Sequence, residues 1–233
     1  MPISTLLMPL TGPLVKSWSM SQDECDRVYM AGVTADPEVL QLLQQDKVVA
    51  ALIQQFGPYQ WHLNTPFETL VRAVVGQVIS ATVAKTVYQR LLSQFGHNQL
   101  LDVTALKQTD TENLRTLGLS QQKANTIKHL ADWALVNDVN CLGQSDNQTI
   151  VKSLTTIRGI GEWTAQMFLM FSLGRLNVWP IADLGVINAA RQLHATDGRR
   201  ALRKLGEQFA PYQSVVTWYY WQHVVQTSRP VNQ

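Results

Sequence analysis

Apolar residues recur along most of this chain at spacings of three and four and almost nowhere at spacings of two, which restricts the fold to packed helices. Asp36-Pro37-Glu38 places a capping carboxylate before a proline at the first helical position. The run that follows, through Leu40, Leu43, Val48, Val49, Leu52 and Ile53, ends at Gly57-Pro58. Thr65-Pro66-Phe67-Glu68 repeats the start signal. Leu70, Val71, Val74 and Val75, then Ile79, Val83, Val87 and Leu91, predict two helices broken near Gly76 to Ser80. Further helical periods cover roughly 110–117, 120–135, 148–155, 161–173, 184–194, 199–209 and 212–225. The expected class is all-α, with short polar connections and helices packed in two groups. Residues 1–35 show Gly, Pro and Ser without sustained periodicity and read as an irregular N-terminal arm, leaving 36–233 as the helical core.

Composition narrows the function classes. At 45% hydrophobic and 15% charged residues the chain lies in the globular range, and no apolar run is long enough to span a bilayer. The apolar opening, Met1 to Leu10, has no basic residue ahead of it, so it lacks the pattern of a secretory signal; a cytoplasmic protein, or a nuclear one in a eukaryote, is expected. Two cysteines, Cys25 and Cys141, are too few for a disulfide framework or a four-cysteine metal site. His62, His97, His129, His194 and His223 are scattered, so neither a transition metal nor a cofactor is expected. Charge is divided unevenly. Two basic and six acidic side chains precede Lys47, whereas seventeen basic and eleven acidic ones make up the rest. The basic part is where a phosphate backbone would bind, although such a surface is often merely solvated.

The most specific stretch is Leu154-Thr155-Thr156-Ile157-Arg158-Gly159-Ile160-Gly161-Glu162-Trp163-Thr164-Ala165. Two glycines separated by one residue let backbone approach a ligand closely. A helix starting near Gly161 turns unpaired N–H groups and a partial positive charge toward it. A phosphate oxygen fits there, with Leu154, Ile157 and Ile160 anchoring the turn to the core. An ordinary turn between core helices is the alternative. The segment 114–127 shares the same outline, with a glycine turn between two short helices.

Beyond the hairpin comes Asn177-Val178-Trp179-Pro180-Ile181-Ala182-Asp183-Leu184-Gly185. A glycine hairpin followed by such a loop and an aspartate resembles the helix-hairpin-helix DNA glycosylase superfamily, and within it the DNA-3-methyladenine glycosylase II branch. The resemblance spans about residues 58–226. It includes Pro66-Phe67-Glu68, Gly76-Gln77-Val78-Ile79-Ser80, Leu117-Gly118-Leu119-Ser120 with Lys123-Ala124, and Ala210-Pro211-Tyr212-Gln213-Ser214 leading to Trp221. It implies two interlocked helical subdomains with a DNA cleft between them, the hairpin lying at about 154–167. The implied partner is double-stranded DNA containing damaged bases, bound by a monomer.

The resemblance also implies roles. Asp183 becomes the catalytic carboxylate. From spacing alone it reads as a helix N-cap, and the two roles are compatible, because the free N–H groups of a helix start favour a negative charge facing an oxocarbenium-like sugar. Relatives that also cut the strand carry a lysine where this chain has Trp163, so a monofunctional enzyme is expected, in which water displaces the base. Trp163 and Trp221, with Tyr212 and Trp218 nearby, suit a cationic alkylated purine such as 3-methyladenine or 7-methylguanine, cation–π stacking adding about 0.5 to 2 kcal/mol. Core packing is the alternative for Trp218, Tyr219 and Tyr220. Base flipping leaves a gap in the duplex, and family position assigns its filler to Val78, shorter and stiffer than the leucine or glutamine frequent in relatives; a core role is the alternative. Gln77 and Ser80 flank it as DNA contacts. Gly159, Ile160, Gly161 and Thr164 belong to the hairpin contact, with Lys123 and Arg158 as candidate phosphate ligands. The carbonyls of Thr155, Ile157 and Ile160 could hold a monovalent cation. A preference for deaminated or oxidised bases, or a noncatalytic DNA-binding module, are the competing functions.

Overall fold

The computed structural model describes residues 32–228 and is dominated by α-helices. They are α1 (Pro37–Leu43), α2 (Lys47–Phe56), α3 (Pro66–Gly76), α4 (Ala81–Phe95), α5 (Val103–Gln108), α6 (Thr111–Thr116), α7 (Gln121–Val136), α8 (Asn147–Leu154), α9 (Glu162–Phe171), α10 (Leu184–His194), α11 (Arg199–Glu207) and α12 (Gln213–Thr227). A 3-10 turn spans Val139–Gln144, and two short antiparallel pairs join β1 (Val33–Thr34) to β2 (Gln60–Trp61) and β3 (Gly96–His97) to β4 (Leu100–Leu101).

Capping chemistry explains the boundaries. Ser80, Asp102, Asp110, Ser120, Asp146 and Asp183 each accept a backbone N–H in the first turn of the helix they precede. The run expected as one helix from residue 37 to Ile53 is divided. Asp46 accepts the N–H groups of Val48 and Val49, both at 2.9 Å, and so starts a new helix where apolar spacing alone suggested continuity. The arm expected at 1–35 lies outside the described residues as far as 31. Its end departs from the irregular reading, because Val33–Thr34 pairs with Gln60–Trp61. Helix α5 and the β3–β4 hairpin are too short to show a period.

The core falls into two clusters. One is built from α3 to α9 around Leu70, Leu114, Ile127, Leu154 and Phe168. Truncating a side chain as enclosed as Phe168 to alanine costs about 3–5 kcal/mol. The other joins α1 and α2 to α10, α11 and α12 around Val49, Tyr59, Val186, Val216 and Tyr220. The chain therefore enters the second cluster, builds the first and returns. Tyr219 Oη donates to the Gly57 carbonyl (2.9 Å), fastening the last helix to the first segment. Trp221 and Phe171 pack against both clusters.

Candidate active site

The segment from Ser172 to Asp183 passes between the clusters and is pinned along its length. Ser214 Oγ donates to the Arg175 carbonyl (2.7 Å) and accepts from Val178 N (3.0 Å), while Ser214 N donates to the Leu176 carbonyl (2.8 Å). Arg175 reaches the carbonyls of Gly143 and Ser145 at 3.0 and 3.1 Å. Trp179 donates its indole N–H to the Leu202 carbonyl (2.9 Å) and lies so close to Gly206 that a Cβ there would overlap the ring. Satisfying these polar groups gives an irregular segment one conformation, which ends on Asp183.

Asp183 is 9% exposed and holds three donors. Oδ1 accepts from Val186 N (2.9 Å), capping α10, and from Trp221 Nε1 (2.9 Å); Oδ2 accepts from Trp163 Nε1 (2.8 Å). Each carboxylate oxygen thus takes an indole N–H, one from each side of the cleft. Trp221 is backed by Phe171, the rings stacked at 5.7 Å and 20°. Gly185 permits the approach: a Cβ at that position would lie 2.8 Å from Trp221 Cδ1 and 3.0 Å from Asp183 Oδ1.

The hairpin faces this carboxylate across the cleft. Leu154, Ile157 and Ile160 are buried, so Ile160 contributes backbone and not side chain to the surface. Gly159 has φ +96°, and a Cβ there would run into Thr126 Oγ1; both the conformation and the space demand glycine. Gly161 is the N-cap of α9 with no side-chain cap, and a Cβ on it would meet nothing within 4 Å. The fold itself does not need glycine there, and the free N–H groups of the first turn open outward.

Gln77 Nε2 donates to Thr164 Oγ1 (3.1 Å) and to the Gly159 carbonyl (3.4 Å), coupling the 76–80 turn to the hairpin. Val78 is 95% exposed with φ +55°, an uncommon conformation for a β-branched residue. Its core alternative therefore fails. The cleft enclosed by this turn, the hairpin, Asp183, Trp163, Trp221 and Val224 has a volume of about 1040 Å³, close to the upper end of small-molecule pockets at roughly 1,000 Å³.

Other expected site residues lie elsewhere or are already engaged. Tyr212 and Trp218 do not line the cleft. Tyr212 stands before the first turn of α12, nine residues or about 13 Å of helix from Trp221, and Trp218 packs edge-on against Tyr219 at 4.9 Å. Tyr219 and Tyr220 are fully buried. Lys123 donates to the Val75 carbonyl (2.8 Å) at the end of α3, and burial lowers its pKa. Thr164 lines the cleft but is buried and receives Gln77. Ser80 and Arg158 are exposed, Ser80 in the cleft wall capping α4, while the Arg158 carbonyl faces His129 Nδ1 at 3.2 Å. The Ile157 carbonyl accepts Ile160 N–H (2.9 Å), closing the turn. Sequence reasoning missed Phe171 and Thr126, whose only signal was apolar or small-residue periodicity, and Leu184, which stands 68% exposed at the cleft beside Asp183.

An all-α, two-cluster protein with an open helix N-terminus facing a carboxylate across a cleft defines the helix-hairpin-helix class of base-excision proteins. The chain belongs to that family: residues 71–211 match the HhH-GPD superfamily base excision DNA repair protein model. It is 30% identical over 206 residues to DNA-3-methyladenine glycosylase 1 of Schizosaccharomyces pombe, covering 85% of this chain and 90% of the relative. The solved structure of the Schizosaccharomyces pombe 3-methyladenine DNA glycosylase in complex with abasic DNA superposes with a TM-score of 0.73 at 28% identity, covering 79% of this chain and 95% of that one. A DNA-3-methyladenine glycosidase from Bacillus halodurans superposes with a TM-score of 0.67 at 34% identity, over 80% and 88% of the two chains.

Proposed function

We propose that this protein is a monofunctional DNA glycosylase that removes alkylated purines, 3-methyladenine and 7-methylguanine, from duplex DNA. The observation that carries the reading is Asp183 clamped between two indole N–H groups at the edge of the cleft. A carboxylate so held cannot swing away, and its charge is in place before the glycosidic bond weakens. When that bond breaks, its electron pair leaves with the base. The sugar C1′ becomes cationic beside Asp183, and water adds there, giving an abasic site after loss of a proton. Loss of an already cationic N-alkylated purine yields a neutral base, so the cleft need not protonate the leaving group.

Hydrogen-bond accounting in the cleft agrees with that substrate. Both indole N–H groups are committed to Asp183, and Gln77 is committed to the hairpin. Few side-chain donors remain to read a base edge, whereas apolar surface is plentiful at Val78, Ile79, Leu184 and Val225. Selection then rests on leaving-group lability and ring contacts. The hairpin N–H groups would hold a phosphate, and Val78 would enter the stack when the base leaves. Should a monovalent cation bind beside the hairpin, the carbonyls of Thr155, Ile157 and Ile160 would hold it, supplying positive charge toward that phosphate.

The test is an excision assay on duplexes bearing alkylated, deaminated or oxidised bases, with mass analysis of what is released and borohydride present in parallel. Free 3-methyladenine and 7-methylguanine, with no trapped protein–DNA adduct, are expected. A borohydride-trapped adduct would replace hydrolysis by lyase chemistry. Release of only deaminated or oxidised bases would move the substrate class.

A further inference from the structure

Helix α11 carries a concentration of charge that the cleft chemistry leaves unused. Arg199, Arg200, Arg203 and Lys204 are all exposed, while Leu202, Leu205 and Gly206 are buried against the second cluster. At 3.6 residues per turn the four cations share one face, opposite the buried one, with Glu207 the only acidic residue of the helix. Among the described residues none of the four forms an ion pair or a side-chain hydrogen bond. Asp197, the carboxylate just ahead of the helix, is already bound to Arg191 at 2.9 Å. Four unpaired cations on one short helix repel one another, so the arrangement is stabilised when an anionic partner lies against it.

Position in the fold indicates which anion. Helix α10 begins just after Asp183 and runs from Leu184 to His194. The chain then folds back, so that Arg199 and Leu202 share a pocket with Ile181 and Ile187, residues flanking Asp183 in sequence. The start of α11 thus lies beside the segment that leads into Asp183, and a duplex with one nucleotide at Asp183 carries a continuous row of phosphates on either side of it. We infer that the exposed face of α11 is a second DNA-backbone contact, engaging the duplex to one side of the flipped nucleotide and outside the cleft. This rests on the DNA reading of the cleft, but it concerns a surface that plays no part in bond breaking. Its use would be positional: phosphate contacts set register and orientation without reading sequence.

The experiment compares wild-type protein with the triple variant Arg199→Gln, Arg200→Gln, Arg203→Gln in binding to lesion-analogue duplexes at increasing salt. Losing three phosphate contacts should reduce the slope of log K against log salt by about 2.7, so that between 50 and 200 mM salt the wild type loses about 40-fold more affinity than the variant. The difference should be present on duplexes extending ten base pairs to either side of the lesion. It should vanish when the duplex is trimmed close to the lesion on one side and persist when the other side is trimmed instead. Single-turnover excision at saturating enzyme should stay at the wild-type rate. An unchanged salt slope in a variant that still excises would overturn the second contact and leave the cleft assignment standing. Absence of both duplex binding and excision in the wild type would overturn the DNA reading itself.

Discussion

Replacing Asp183 by asparagine changes charge and little else in size, and the geometry fixes what should follow. A carboxylate and a C1′ cation about 4 Å apart interact by about 4 kcal/mol at an effective dielectric constant near 20, which corresponds to about a thousandfold in rate. A second effect comes from the donors. Oδ1 already accepts from both Val186 N and Trp221 Nε1, so the amide oxygen of asparagine belongs on that side. Its NH₂ group then faces Trp163 Nε1, a donor that sits 2.8 Å from the native oxygen. A donor left without an acceptor costs about 1–3 kcal/mol, at about 2–4 °C of melting temperature for each kcal/mol in a protein of this size. The variant should therefore remain folded, with a modestly lower melting point and intact binding to abasic-site duplex. Single-turnover release of methylated purine should fall by about three orders of magnitude. The assay follows the released base under enzyme excess and the binding by fluorescence anisotropy. Excision within tenfold of wild type would refute Asp183 as the charge that stabilises the transition state.

The two hairpin glycines should respond differently. Gly159→Ala places a Cβ into Thr126 at a φ of +96° and should lower both melting temperature and DNA affinity. Gly161→Ala meets open space and should melt like wild type while binding DNA more weakly; wild-type affinity in this variant would contradict a phosphate seat at Gly161. Val78→Ala removes most of an exposed wedge from a left-handed position. It should slow excision from fully paired duplex more than from substrate with the lesion in an unpaired bubble, and identical losses on both would argue against insertion. His194 packs between Phe209 and Tyr220 with its Nε2 unpartnered, and burial holds its pKa below the ordinary 6.5. Because the neutral form is favoured in the folded state, its contribution to stability is complete above pH 6.5 and is lost as pH falls through the lowered pKa. Thermal melts from pH 8 to 5 should show a smaller acid decline in His194→Phe than in wild type, and parallel declines would exclude His194 as a source.

Much of this protein was decided locally and was therefore legible in the sequence. Helical class follows from the 3.6-residue spacing of apolar side chains, and most helix starts follow from a capping Asp or Ser whose oxygen meets N–H groups two or three residues on. The hairpin is equally local: a φ of +96° at Gly159 is a property of one residue and its neighbours in the turn. What the sequence left open depends on partners distant along the chain. Asp183 could be a cap or a catalytic group by spacing. The tertiary structure makes it the meeting point of indole groups 20 residues before it and 38 residues after it. Trp163 and Trp221, expected as walls for a base, also hold the carboxylate, and Tyr212 and Trp218 fall outside the cleft because helix α12 turns them toward the second cluster. Lys123 became a tie to Val75 and not a free cation, since only folding brings the end of α3 within 2.8 Å of its amine. Sequence fixes which groups can donate and accept; the packing of two clusters decides which of them meet, and in this protein they meet at Asp183.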